Sequence, residues 1–99
     1  MLFVAQKVRR IAEEIDSAIS VSQRLLTALE SYTEGDRLDE KIGIFAQNAP
    51  KWRNLTEDRQ SYLNFIRKVC TGEISISVAQ DAIRKFISEL EDTRRLIKL

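Results

Sequence analysis

The stretch that decides the fold runs from Val4 to Tyr32, VAQKVRRIAEEIDSAISVSQRLLTALESY. Val4, Val8, Ile11, Ile15, Ala18, Ser22, Leu25, Leu29 and Tyr32 recur at alternating intervals of four and three. Only a helix turns such spacing into one continuous stripe, and a stripe of this kind leaves water by packing on other helices. Ile19 and Leu26 widen it, while Lys7, Arg9, Arg10, Glu13, Glu14, Asp16, Gln23, Arg24 and Glu30 fall elsewhere. The spacing predicts a helix over about 3–32, roughly 45 Å long at 1.5 Å per residue. Ser22 is the polar intruder on the seam, marking a close helix approach or a weak point.

Working outward, Gly35, Pro50 and Gly72 break the apolar pattern and divide the remainder into three shorter segments. Leu38, Ile42, Phe45 and Ala49 share one face of a second helix over about 37–48. Asp36 is its expected N-cap, and Asp39 and Glu40 suit the positive end of its dipole. Pro50 ends it by disfavouring helical geometry at Ala49. Gly43 inside it costs about 1 kcal/mol relative to alanine, so this helix should depend on packing.

Thr56, followed by Glu57 and Asp58, is expected to cap a third helix over about 57–71. Its inner face would be Tyr62, Phe65, Ile66 and Val69, flanked by Leu63 and Cys70, with Gly72 closing it in a left-handed turn. A fourth helix over about 78–97 carries Ala79, Ile83, Phe86, Leu90, Thr93 and Ile97, with Ala82, Ile87 and Leu96 beside them. Ser77 and Gln80 have capping-box spacing, with Ser75 as a rival cap. Ile74 and Ile76 alternate as a strand would, but no partner strand exists elsewhere in the sequence. The expected fold is therefore a single all-α domain, an antiparallel four-helix bundle with a long first helix.

The chemistry the sequence can support is narrow. The 99 residues include no histidine and one cysteine, which removes the common metal-ligand sets, the Ser-His-Asp and Cys-His arrangements, and internal disulfides. Around Gly72, a calcium-loop alignment puts Arg67, Val69 and Val78 where oxygen ligands are required. The fourth helix does not open with a cluster of base-reading residues, as a DNA-recognition helix would. Neither a glycine-rich phosphate loop nor a G-x-S-x-G elbow is present. Glu13-Glu14 and Asp39-Glu40 diverge on a helix, and Cys70 reads as a packing residue. The expectation is a non-enzyme without a cofactor.

Sixteen basic and fifteen acidic side chains leave a net charge of +1, so any electrostatic attraction must be local. No apolar run is long enough to span a bilayer, and the N-terminus turns polar too early for a secretory signal, so a cytoplasmic protein is the simplest expectation. An up-down-up-down bundle would gather Lys7, Arg9, Arg10, Lys51, Arg53, Arg94, Arg95 and Lys98 at one end. The opposite end would gather Glu30, Glu34, Asp36, Asp39, Glu40, Glu73 and Asp81.

Trp52, set between Lys51 and Arg53 in a polar link, is either a plug over open core or an anchor for a partner. The first helix is longer than the second can cover, which leaves the fourth helix, the Pro50–Leu55 segment or a second copy to cover the rest. The functional expectation is a protein-binding module of the small regulatory, immunity- or antitoxin-like, or chaperone-like kind, homodimeric through its first helix. Its candidate contact residues are Trp52, Lys51, Arg53, Arg94, Arg95, Lys98, Arg9 and Arg10. The alternative is a nonspecific nucleic-acid binder acting through the basic end.

Overall fold

A computed structural model describes residues 2–49 and 59–98, with side chains from 5–49 and 60–98. It contains four helices, α1 (Leu2–Glu30), α2 (Leu38–Gln47), α3 (Arg59–Cys70) and α4 (Ile76–Leu96), and no strand among the described residues. The chain forms an all-α four-helix bundle in which α4 packs on α1, α3 on α2, and α2 on α1. Its extents of 54 × 22 × 18 Å and radius of gyration of 14.8 Å exceed the roughly 13 Å of a compact chain this long. α1, with 29 residues, spans about 44 Å at 1.5 Å per residue.

Each boundary has a local cause. Past Glu30 the bonds tighten, with the Tyr32 amide donating to the Leu29 carbonyl at 3.3 Å, so α1 closes there. Asp36 does not cap α2. Its Oδ2 accepts from the Thr33 amide at 2.9 Å and the Thr33 hydroxyl at 3.1 Å, and the Lys41 ammonium lies 3.3 Å away. The carboxylate is thus turned back into the link, and Arg37 becomes the N-cap without a side-chain bond. Those bonds from Thr33, with Lys41 beside them, hold the Asp36 carboxyl below its ordinary value.

Gly72 ends α3 with φ of +82°, a conformation that costs glycine little. At the start of α4 the rival cap is the one used. Ser75 Oγ accepts from the Val78 amide at 3.3 Å, and the helix opens at Ile76. Gln80 reaches across the bundle instead of capping its own helix. Its Nε2 donates to the Leu29 carbonyl at 3.3 Å, a second bond to an oxygen in the last turn of α1 that already accepts from the Tyr32 amide. The expected cap of α3 at Thr56 lies outside the described residues.

The core divides along α1. Toward its C-terminal end, Leu25 and Leu29 meet Ile42 of α2, Ile66 and Val69 of α3, and Ala79, Ile83 and Ile87 of α4. Toward its N-terminal end, Ile15 and Ala18 meet Leu90 of α4, with Ile11, Phe86, Ile97 and Tyr62 around them. Among the described residues, four helices build the first cluster, whereas α1, α4 and Tyr62 of α3 contribute to the second. Tyr62 touches both, and burial pushes its phenol up to about 12 despite the opposing charge of Arg24. Ser22 is buried on the seam and lines a cavity of about 200 Å³ between α1, α3 and α4, with Tyr62, Phe65 and Phe86. The weak point in the seam is thus a packing gap.

Candidate functional site

Three cross-helix contacts fix how α1 and α4 lie together. Gln80 reaches Leu29, Arg84 stands 3.9 Å from Glu30, and Arg94 Nε donates to Asp16 Oδ1 at 3.0 Å. The helices are antiparallel, and Asp16 is level with Arg94. Leu96, the last residue of α4, is therefore level with about residue 14 of α1. The turns of α1 from Leu2 to about Arg10 run past the end of their partner helix, while Ala12 is still buried.

That end collects most of the candidate cations. Lys7, Arg9 and Arg10 are exposed on the projecting turns, with Arg95 and Lys98 exposed and Arg94 half-buried at its base. The arrangement is less uniformly basic than the sequence implies. Arg94 is held by Asp16 and also donates to the Ile97 carbonyl at 3.2 Å, while Arg95 is paired with Asp92. These bonds close the C-terminal end of α4 from within. Lys7, Arg9, Arg10 and Lys98 make no ion pair among the described residues. Lys51, Trp52 and Arg53 lie outside the described residues, and with them the choice between plug and anchor.

The opposite end gathers its acids around cations. Arg37 pairs with Asp39 and Glu40 at 3.1 and 3.3 Å, Lys41 with Asp36, and Arg84 with Asp81 at 3.0 Å. Each end also leaves an apolar side chain in water, Val78 in the first turn of α4 at the acidic end and Leu96 at the basic end. Val8 and Ile11 on the projecting seam are only half-buried, and Leu96 is 81% exposed. The sequence pattern places Leu96 beside the inner stripe of α4. It faces water because α1 continues past α4 along one side only. The buried line of α4 is instead Ala79, Ile83, Ile87 and Leu90, and Thr93 is exposed.

No family model, curated protein or solved structure matches the chain. Its function is therefore read from its own residues.

For catalysis the described residues offer little to work with. The cavity between α1, α3 and α4 is walled by Leu25, Ile83 and three aromatic rings, with the hydroxyls of Ser22, Ser61 and Tyr62 as its polar groups. Cys70 is half-buried against the larger cluster. Its thiol is pushed up by burial and further by the charge of Asp39, the reverse of what a reactive thiolate needs. Among the described residues no three histidine, cysteine or carboxylate side chains converge on one point. No described helix is long and apolar enough to cross a membrane.

Proposed function

We propose that this chain is a non-enzymatic protein-binding module that self-associates through the N-terminal half of α1. Its place would be among small regulatory, antitoxin-like or chaperone-like binders. One observation carries the reading: the apolar seam of α1 continues past the end of α4, leaving Val8 and Ile11 half-covered and Leu96 open at the same end. Apolar surface grouped at one end of a bundle gains free energy when a second surface excludes water from it. A second copy offers the same seam and closes the arrangement by two-fold symmetry. Only a short length of helix is available, so association in the micromolar range is expected. Sedimentation equilibrium over tens to hundreds of micromolar should show a monomer–dimer equilibrium. A monomer throughout that range would reject the reading.

The exposed cations Lys7, Arg9, Arg10 and Lys98 support a second reading, contact with the phosphates of a nucleic acid. A low-salt gel shift abolished by neutralising Arg9, Arg10 and Lys98 together would favour it. No shift at low salt would end it.

A further inference from the structure

The gap beside Ser22 is large for a domain of this size. Protein interiors hold few voids bigger than a water molecule, yet the cavity between α1, α3 and α4 has a volume of about 200 Å³. The helix packing explains its place. α4 packs chiefly on α1 and α3 on α2, which leaves α3 and α4 apart over the seam of α1. Ser22, Leu25 and Ile83 form the floor, each 4% exposed or less. Phe65 and Phe86, both half-buried, form walls, and exposed Ala82 stands at the mouth. No described residue that lines the cavity carries a charge.

Ser22 gives this space a polar handle. Thr27 on the same helix donates its hydroxyl back to the Gln23 carbonyl at 3.0 Å, and Thr93 on α4 does the same to Glu89. The Ser22 hydroxyl makes no hydrogen bond among the described residues and opens on the cavity. A hydroxyl held out of bulk water without a partner costs free energy. One water, taking up about 30 Å³, would answer the hydroxyl and leave most of the space empty.

We infer that the cavity binds a small neutral aromatic molecule bearing one hydroxyl or ring N–H group, a phenol or an indole, with that group on Ser22. Size sets the upper limit. An apolar cavity of about 150 Å³ accommodates a benzene ring, so this one takes a ring with a substituent or a fused pair. Aromatic rings pack edge-to-face or offset on one another, and Phe65 and Phe86 therefore favour a ring over an aliphatic chain. The uncharged lining favours a neutral ligand, since a charge moved there would lose its hydration without compensation. The site is separate from the projecting seam of α1 and does not depend on self-association.

Phenol and toluene, which exchange a hydroxyl for a methyl group, test the site on the full chain. In an NMR titration of isotope-labelled protein, phenol should shift the Leu25 and Ile83 methyl resonances saturably, with a Kd of about 1 mM or tighter. Ala82→Phe fills the mouth from an exposed position and should weaken binding of both compounds at least about tenfold. Ser22→Ala keeps a small side chain in the floor and should fold as the wild type does. It should lower the affinity for phenol relative to toluene about fivefold, the share expected of one hydrogen bond. No saturable shift up to about 10 mM phenol, or shifts that survive Ala82→Phe, would overturn the site. A phenol-to-toluene ratio unmoved by Ser22→Ala would overturn the role of Ser22 and with it the class of ligand.

Discussion

The two halves of α1 carry the same apolar seam and meet different fates. From Leu25 to Leu29 the stripe is enclosed by three other helices, and both leucines are almost wholly buried. From Val8 to Ala18 the described helix beside it is α4, which stops level with about residue 14, and there Ala12, Ile15 and Ala18 are buried while Val8 and Ile11 are half-covered. The periodicity is as regular in one half as in the other. A heptad therefore says which face seeks cover and nothing about what supplies it.

The comparison can be broken most directly at Leu29. Leu29→Ala removes a side chain from the four-helix cluster and should cost about 2–5 kcal/mol in urea unfolding. Val8→Ala at the projecting end should cost under about 1 kcal/mol in the monomer, because less area is buried there. Equal losses at the two positions would mean that the halves are equally packed.

Smaller effects test the links that hold the four-helix half. Gly72→Ala should destabilise by about 1 kcal/mol through its positive φ. Gly43→Ala should stabilise by up to about 1 kcal/mol, since a methyl group there meets nothing within 4 Å. Ser75→Ala should cost about 1 kcal/mol as a lost cap, with Ser77→Ala close to neutral. A larger loss at Ser77 would return the start of α4 to the later position.

The smallest expected effect is on pH dependence. The folded-state pKa of Asp36 lies below its ordinary 3.8, so its stabilising contribution is complete above the unfolded value and fades as pH falls through the folded one. Asp36→Asn should therefore flatten the acid limb of the stability curve below about pH 4 and leave the neutral region's slope unchanged. A change in slope near neutrality would assign the effect to another group.

How much of this is legible in the sequence follows from the range of the forces involved. The four helices, much of their inner faces and the glycine turn at Gly72 are set by neighbours within a turn or two, and those readings agree with the structure, whereas Thr93 and Leu96 of the expected α4 face are exposed. Asp36 has the spacing of a cap and is not one, because Thr33 and Lys41 compete for its carboxylate. Gln80 has the spacing of a capping box, yet its acceptor, the Leu29 carbonyl, lies 51 residues away in the chain. Leu96 lies beside the inner stripe by period alone, yet it is exposed. The same distance limit hides the pairing of Arg94 with Asp16.

Tyr62 gives α3 a reach beyond its length. Because its ring touches both apolar clusters, heat or denaturant that loosens one also removes a wall of the other. A twelve-residue helix thereby couples the melting of a much longer one. Tyr62→Ala should uncouple them, and calorimetry should then resolve two transitions where the intact chain is expected to show one, the lower from the cluster around Ile15 and Leu90.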